Sequence, residues 1–420
     1  MAKFEEIDKT AAAAISAPSP ASFVPQITIG AFTLTDAMHD VITAVAADRR
    51  MSRASVTCSR GGIDAAIRKY AEHFAPTVLL VEVGDDQATL MAELDSLAEA
   101  CPPETLVVVL GACNDVRLYR DMRRAGISEY LVTPVTPLDL IETLAALFET
   151  DVVEKRANVT AFFGARGGCG SSTLAQNTAL ALASTCHSPT LLIDFDLAGG
   201  TAALRLDLEA VATVKSALKE GGRLDRAALD RMVLRKDGGF ALLASPADLT
   251  DIYNYETSDI RRLIDVSRGM ASHVVLDLPS GWTNYVAGFM ELADQIVLVA
   301  TPDLVSLRNC GRIVALLRKV RPNDPPPRVV LSQTGIPRNQ QVPPQQFAKS
   351  LGLPISVEVP FDAALFSAAE NEGQLMMQKA PGSVPGRRVA MIASALNGQT
   401  DGRGVMARPS MMNRFFRRLH

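Results

Sequence analysis

The sequence predicts an α/β protein built from two doubly wound parallel-sheet domains. Short apolar runs alternate with segments of helical spacing along most of the 420 residues. Strands that alternate with helical patterns of about 10 to 15 residues are typical of βαβ units in a parallel sheet. The length of the chain favours two or three domains over one.

Five strand–helix units follow one another between residues 25 and 148. Each strand is predicted from a short apolar run, and each helix from apolar residues that recur every three to four positions. The predicted strands are Gln26–Phe32, Ala54–Cys58, Val78–Val83, Leu106–Leu110 and Glu129–Val132. The predicted helices are Asp36–Ala47, Ile63–His73, Ala88–Ala100, Asp115–Ala125 and Pro137–Phe148.

A second array of the same kind occupies residues 158–395. Its predicted strands are 158–163, 190–194, 240–244, 273–277, 295–299, 328–332 and 355–359. Gly335–Gln346, rich in proline and glutamine, is predicted to be a loop. By composition, we expect a flexible leader at 1–24, a polar linker at 149–157 and a flexible tail at 396–420.

The composition is that of an ordinary soluble protein, with 48% hydrophobic and 21% charged residues. The net charge of −4 lacks the excess of positive charge that is typical of nucleic-acid-binding proteins, so no nucleic-acid partner is expected. The six cysteines lack metal-binding spacing. No stretch approaches the roughly 20 apolar residues of a membrane helix. We therefore expect a cytoplasmic protein.

The glycine-rich segment Gly164–Thr173, GARGGCGSST, follows an apolar run and precedes Leu174–Leu182, which has helical spacing. Strand, glycine loop and helix in this order are the context of a phosphate-binding loop. In such a loop, backbone N–H groups and a helix N-terminus converge on phosphate oxygens. Ser172 stands where these loops place the hydroxyl that holds Mg²⁺. The segment predicts nucleotide binding.

Ser171 occupies the position of the lysine that reaches the β- and γ-phosphates in such loops. Its loss removes a positive charge from the place where charge develops during phosphoryl transfer. Mg²⁺, backbone N–H groups and Arg166 could replace part of that charge. We therefore expect slow hydrolysis at most, with ATP acting as a ligand that shifts monomer toward dimer.

Three carboxylates follow predicted buried strands of the second array. Asp194 ends one strand, Asp196 lies two residues later, and Asp277 ends another strand. An aspartate at the end of a buried strand is often only a helix cap or a turn former. The glycine loop upstream favours the alternative, in which all three line the nucleotide site.

The order of these motifs resembles the MinD/ParA class of P-loop ATPases, whose loop reads K-G-G-x-G-K-[ST]-[ST]. The resemblance implies that Arg166 stands for the lysine that reaches the partner's nucleotide across a dimer. It also implies that Asp196 orients the attacking water and is the catalytic residue, and that Asp277 is the Walker B aspartate, which holds Mg²⁺ with Ser172. The implied nucleotide-binding residues are Arg166, Gly167, Gly168, Cys169, Gly170, Ser171, Ser172, Thr173, Asp194, Asp277, Pro360 and Phe361.

Within that class, the loop G-G-x-G-S-S-T and the segments Asp194–Ala203 and Val359–Gly373 are similar to the CpaE/TadZ proteins of Tad (Flp) pilus assembly. One departure is Ser332-Gln333, where the class often has an asparagine that faces adenine. The resemblance implies a homodimer that binds ATP and Mg²⁺. It also implies recruitment of the pilus secretion ATPase and other Tad components to the inner membrane, at a cell pole.

Four other functions are weighed against this one. An active DNA-partitioning ATPase would need the loop lysine and a basic surface. A nucleotide-free pseudo-ATPase scaffold stays open. An iron–sulfur ATPase of the nitrogenase type would need cysteines near Asp277. A signalling response regulator would need phosphorylation residues in the first array.

The first array resembles a response-regulator receiver that lacks the residues of phosphorylation. No acidic pair occurs in Ala31–Thr35, and Glu82 stands at the phosphoacceptor position. Gly111 and Thr133 replace the hydroxyl and the lysine. Glu82 is either a mimic of the charged state or an ordinary solvated or capping glutamate. The resemblance implies self-association or partner recruitment through this domain.

The last ten residues form a short basic amphipathic pattern. Helical spacing places Phe415 and Phe416 on an apolar face, with Arg414, Arg417 and Arg418 pointing away. Such a segment suits an anionic membrane surface and is similar in kind to the tail of MinD. A strip that packs on another protein, or a disordered end, is the alternative interpretation.

Overall fold

The computed structural model describes residues 24–25, 27–71, 73–84, 87–148, 157–246, 256–336 and 341–398. These residues form one parallel and one mostly parallel sheet, with helices on both faces, which confirms the predicted fold class. Residues 1–23 of the predicted leader 1–24, 149–156 of the linker 149–157 and 399–420 of the tail 396–420 lie outside the described residues. In the described part of the chain, no helix has the length and hydropathy needed to cross a bilayer.

The first sheet has the strand order β2-β1-β3-β4-β5, and all its pairings are parallel. Its strands are β1 Thr28–Thr33, β2 Ser55–Arg60, β3 Val78–Glu82, β4 Leu106–Gly111 and β5 Glu129–Val132. Its helices are α1 Asp36–Ala46, α2 Gly62–Tyr70, α3 Gln87–Ala100, α4 Val116–Arg124 and α5 Pro137–Ala146.

The second sheet has eight strands in the order β13-β12-β11-β6-β10-β7-β9-β8. They are β6 Asn158–Gly164, β7 Thr190–Asp194, β8 Leu234–Lys236, β9 Phe240–Leu243, β10 His273–Asp277, β11 Gln295–Ala300, β12 Arg328–Thr334 and β13 Ile355–Pro360. Pairing is parallel except between β8 and β9.

The helices around the second sheet vary from one turn to five. In chain order they are α6 Ser171–Ser184, α7 Ala202–Arg205, α8 Val214–Glu220, α9 Arg226–Met232, α10 Thr257–Ser267, α11 Asn284–Leu292, α12 Leu304–Val320, α13 Pro344–Leu351, α14 Ala363–Asn371, α15 Met376–Lys379 and α16 Val384–Leu396.

Each sheet separates two hydrophobic cores, because successive side chains of a strand point to opposite faces. In β6, Ala161 and Phe163 pack into one core, whereas Phe162 packs into the other. In the first sheet, Leu80 of β3 and Val81 divide in the same way. Strands buried on both faces read as apolar runs, and this is why they could be found in the sequence.

Two local features of the second sheet differ from the prediction. The sequence analysis missed β8, since its three residues Leu234–Lys236 are too few to show a period. The loop predicted at Gly335–Gln346 ends earlier than expected, because α13 begins at Pro344. Proline is well suited to the first turn of a helix, because the backbone N–H that it lacks would have no acceptor within the helix there.

Glu82 at the end of β3 is buried and fully engaged by the loop that follows β1. Its side chain accepts hydrogen bonds from Leu34 N at 2.6 Å, Thr35 N at 2.9 Å and Thr35 Oγ1 at 2.7 Å. Thr35 Oγ1 also accepts from Met38 N, which caps α1. Glu82 is therefore no solvated glutamate, and it fixes the β1–α1 loop.

A buried cluster of charges joins the two sheets. Asp324, after α12, pairs with Arg49 at 2.9 Å, with Arg50 at 2.6 Å and with Arg321 at 3.2 Å, and all four side chains are at most 5% exposed. Burial alone would raise the pKa of Asp324, but Arg49 and Arg321 hold it well below its usual range. Asp48, paired with Arg50, also accepts from Asn323 at 3.0 Å.

Asp324→Asn is expected to destabilise the protein by roughly 3 to 5 kcal/mol, because it removes the negative charge that three buried guanidinium groups share. Urea unfolding at neutral pH measures the loss. Asp265→Asn is the control, since Asp265 pairs with Arg53 at a partly exposed site joining the same two sheets, and it should cost less than about 1 kcal/mol. Equal losses from the two variants would contradict the expectation.

Candidate functional site

The candidate site lies at the carboxyl edge of the second sheet. β10 lies between β6 and β7, and its register places Asp277 opposite Phe162 on one side and Asp194 on the other. The glycine loop that follows β6 thus starts next to both strand-end carboxylates. The topology brings together the three chain segments that the sequence analysis assigned to one site.

The glycine loop turns directly into the N-terminus of α6. Gly168 and Gly170 have φ angles of +75° and +86°, which side chains with a Cβ rarely adopt. Gly170 is the residue before the first turn of α6, and no side chain caps that turn. The first N–H groups of a helix have no intrahelical acceptor, so they are available to an anion.

The polar side chains of the first turn of α6 face different groups. Ser171 Oγ is buried and has no hydrogen-bond partner among the described residues. Ser172 lies close enough to Asp277 to lower the pKa of its carboxyl. Thr173 Oγ1 accepts from Arg205 Nη1 at 3.2 Å. The serine at the lysine position therefore puts no charge into the loop, whereas the next two residues contact charged groups.

Asp277 is as deeply buried as Asp194, and each has 1% of its surface exposed. Gln176 Nε2, one turn after Ser172, donates to its Oδ2 at 3.2 Å. Its Oδ1 has no partner among the described residues. Burial, and after it the charge of Asp194, raise the pKa of Asp277 to about 8, although Ser172 and Gln176 lower it by hydrogen bonding.

Asp194 and Asp196 shape the turn that follows β7. Asp194 accepts from Asp196 N and Ala202 N, both at 3.1 Å. Asp196 accepts from Gly199 N at 3.0 Å and is only partly buried. Burial raises the pKa of Asp194 to about 6, against these backbone donors, which lower it. Both aspartates thus stabilise the turn in addition to facing the candidate site.

Arg166 is held by its own chain on the outer side of the loop. Its Nε donates to Thr301 Oγ1 at 3.0 Å, and its guanidinium pairs with Asp303 at 3.2 Å. The side chain is 44% exposed. Burial would raise the pKa of Asp303, but hydrogen bonds from Ser306 and Thr301 and the charge of Arg166 lower it overall. Arg166 therefore lies at the surface of the site with its charge already paired.

The ends of β12 and β13 lie on another side of the glycine loop. Gln333 Nε2 donates to Gly168 O at 2.8 Å, and a Cβ on Gly170 would lie 3.2 Å from Ser332 Oγ. Phe361 N donates to Thr334 O at 3.0 Å, and the Phe361 side chain is 45% exposed. The structure thus brings Pro360 and Phe361 to the same edge as the loop.

Arg205, at the end of the short helix α7, is a charged residue of this region that the sequence analysis did not identify. Besides its contact with Thr173, it pairs with Glu370 of α14 at 2.8 Å. Thr173, Arg205 and Glu370 line a small cavity of about 40 Å³. Nothing in the sequence signals the contact, because 32 residues separate Arg205 from Thr173.

The sequence analysis also did not identify three other residues near the candidate site, Gln176, Thr301 and Asp303. Gln176 had a usable signal, since it lies four positions after Ser172 on one helix face. Asp303 and Ser306 have the spacing of a helix cap, and Ser306 N donates to Asp303 Oδ1 at 2.8 Å. The predicted contact residues Arg414, Phe415, Phe416, Arg417 and Arg418 lie outside the described residues.

The donor set of this edge fits Mg²⁺ together with a phosphate ligand. Mg²⁺ binds through one or two carboxylates plus substrate phosphates and water, and needs no cage of protein ligands. Asp277 supplies a buried carboxylate oxygen without a partner, and Ser172 a neighbouring hydroxyl. Among the described residues, no group of three or more His, Cys, Asp or Glu side chains could hold a metal alone.

No protein-family model matches the chain. A ParA family ATPase from Chlorobium tepidum has 25% sequence identity, covers 56% of this chain and 98% of its own, and superposes with a TM-score of 0.52. An uncharacterized ATP-binding protein of Methanocaldococcus jannaschii is 28% identical over 151 residues, or 35% of this chain. The match spans about half of that relative, 54% of its length.

The second sheet, with its glycine loop and strand-end aspartates, has the fold of the MinD/ParA class of P-loop ATPases. A pilus assembly protein CpaE from Caulobacter crescentus is 43% identical to this chain. The match covers 31% of this chain and 98% of the Caulobacter chain, with a TM-score of 0.30. On that sequence identity the chain belongs to the CpaE family, which confirms the family that the sequence resembles.

Asp277→Asn is expected to stabilise the metal-free, nucleotide-free protein increasingly as the pH rises. A carboxyl whose pKa is raised from 3.8 to about 8 on folding binds its proton more tightly when folded. The stability that this carboxyl contributes is complete below about pH 4 and is lost as the pH rises through 8. The variant does not titrate there, so its advantage should exceed about 1 kcal/mol at pH 8.

Urea unfolding with EDTA at pH 4.5, 6 and 8 measures this difference. Asp225→Asn, at the exposed N-terminus of α9, is the control for removing a carboxylate, and its effect should stay smaller. A stability difference between Asp277→Asn and wild type that does not grow with pH would show that folding does not raise the pKa of Asp277.

Proposed function

We propose that this protein is an ATP-binding assembly factor for a Tad-type pilus, with its nucleotide at the edge formed by β6, β7 and β10. One observation carries the proposal. The glycine loop leads into α6, whose first turn no side chain caps, beside Asp277, whose buried Oδ1 has no partner among the described residues. Unpaired buried polar atoms are costly in proteins unless a ligand or ion completes them.

The bound nucleotide would be held mainly by the backbone of residues 166–173 and by the N-terminus of α6. Ser172 and Asp277 would hold Mg²⁺, which when bound neutralises phosphate charge and orients the phosphates. Asp194 would keep the β7 turn beside the metal, and Asp196 would orient a water molecule. Pro360 and Phe361 would line the base side, where the exposed Phe361 ring offers an apolar surface.

Hydrolysis of this nucleotide would be slow. With Ser171 at the lysine position, the loop places no ammonium beside the phosphate that carries developing charge. The resemblance of Arg166 to the cross-dimer lysine offers a partial replacement, but only after its release from Asp303. ATP would therefore act chiefly as a ligand that favours a homodimer, to the extent that the dimer binds it more tightly.

The cellular role follows from family membership together with the two-sheet architecture. The first domain, residues 25–148, would recruit the pilus secretion ATPase and other assembly components, while the second, residues 158–395, would report the nucleotide state. The protein would act in the cytoplasm at the inner-membrane surface, at a cell pole, and the tail after residue 396 would contact the membrane. Two tails on one dimer would add avidity.

Ser172→Ala is expected to weaken binding of Mg²⁺–ATP and Mg²⁺–ADP by roughly tenfold or more, because the metal loses a hydroxyl ligand. Isothermal titration calorimetry with each nucleotide, with and without Mg²⁺, measures the affinity. Ser184→Ala is the matched control, since Ser184 lies at the other end of the same helix and bonds only to Leu180 O among the described residues. It should bind as wild type does.

Failure of the wild-type protein to bind either nucleotide would overturn the proposed function and favour the pseudo-ATPase scaffold. Equal weakening by both serine variants would mean that α6 is merely destabilised. In cells, the Ser172→Ala variant should fail to support pilus assembly where Ser184→Ala succeeds, which ties nucleotide binding to the proposed role.

Ser171→Lys is expected to raise the rate of ATP hydrolysis by at least about tenfold, because it restores a cation that stabilises the transition state. Phosphate release under single-turnover conditions measures the rate. Ser171→Met, of similar length but uncharged, is the control and should give no increase. Adding Asp196→Ala to the lysine variant should abolish the gain, and an unchanged rate would contradict the role given to Asp196.

A further inference from the structure

Arg205 brings a guanidinium group to a loop that carries no lysine. Its Nη1 donates to Thr173 Oγ1 at 3.2 Å, while Nε and Nη2 donate to Glu370 Oε1 at 3.1 and 2.8 Å. A guanidinium has five N–H donors, so these contacts leave two for another acceptor. The side chain is 21% exposed, so its charge is accessible to a ligand beside Thr173, in the first turn of α6.

A hydrogen bond from the backbone of α7 to Asp194 of the candidate site holds Arg205 in this position. Asp194 accepts from Ala202 N, the first residue of α7, at 3.1 Å. Because α7 is only one turn long, fixing its first residue also fixes the direction of Arg205 at its end. The charge of Arg205 in turn lowers the pKa of Asp194, against burial, which raises it. The aspartate and the arginine are thus coupled.

Glu370 is a poor candidate for a purely structural partner of Arg205. Its side chain is 59% exposed, and ion pairs with such exposure contribute little to stability, on the order of 1 kcal/mol or less. A phosphate group is a stronger partner, because a guanidinium binds it through two parallel charge-assisted hydrogen bonds. Glu370 can therefore hold the guanidinium in place and be displaced when phosphate arrives.

We propose that Arg205 binds a phosphate group of the nucleotide and supplies the positive charge that Ser171 does not. This inference rests on the proposed nucleotide site and adds a residue from outside the loop. Arg205 exchanges Glu370 for a phosphate oxygen beside Thr173, whose hydroxyl already accepts from the guanidinium. The ligand class is a nucleoside di- or triphosphate, and the contribution of Arg205 is electrostatic.

The test is calorimetric binding of Mg²⁺–ADP and Mg²⁺–ATP to variants whose thermal unfolding has first been compared with wild type. Arg205→Gln keeps amide donors for Thr173 and Glu370 but removes the charge. This variant should lower the affinity for both nucleotides by about 10- to 100-fold. Arg205→Lys, which keeps a positive charge, should retain most of the affinity. Arg235→Gln is the control, because Arg235 pairs with Asp230 at an exposed surface, and it should bind as wild type.

Glu370→Gln keeps the proposal testable if the Arg205 variants fold poorly. It should bind both nucleotides at least about twofold more tightly, because the carboxylate no longer competes for the guanidinium. Unchanged or weaker binding by Glu370→Gln, or unchanged binding by Arg205→Gln, overturns the role of Arg205 while the nucleotide site stands. A wild-type protein that binds no nucleotide overturns both.

Discussion

The parallel pairing of β10 with β6 and β7 is the constraint on which the candidate site depends. It delivers Asp277 to the point where the glycine loop begins, and it does so through strands whose other residues are apolar and buried. Because side chains alternate between the faces of a strand, a slip of one residue would move Leu276 and Leu278 to the face that Asp277 now occupies and would turn the carboxylate into the core that they now fill. The register is therefore fixed by hydrophobic burial, and the chemistry follows from the register.

The charge balance of this edge explains why a cation and an anion would bind there together. Asp194, Asp196 and Asp277 converge on a place where the N-terminus of α6 favours negative charge. Burial and mutual repulsion raise the pKa of Asp277, a conflict that a divalent cation would relieve. The guanidinium groups of Arg166 and Arg205 are each paired with a carboxylate of the same chain. In the described contacts, both guanidinium groups therefore lie at the rim of the site, and the loop has no lysine at the position of Ser171.

The fold and several residues of the candidate site could be predicted because they leave local patterns in the sequence. Features without a local pattern could not be predicted. Buried parallel strands and a glycine loop leave local patterns, so the strand-end aspartates could be placed before their register was known. β8 left no pattern, since three residues show no period. Arg205 left none either, because its neighbours Thr173 and Glu370 are remote in sequence and only α7, fixed by Asp194, aims it at the loop.

The same limit applies to Glu82, for which the sequence offered two interpretations. Its burial and its three hydrogen bonds from Leu34 and Thr35 show a carboxylate that already holds the β1–α1 loop. A receiver switch needs this loop to have two arrangements, one of them stabilised by added phosphate. Here the side chain at the acceptor position makes the stabilising contacts itself. α1, which starts at this loop, leads directly to Arg49 and Arg50 and so to the buried cluster around Asp324. A single helix thus connects the loop that Glu82 holds with the ion pairs that join the first sheet to the second.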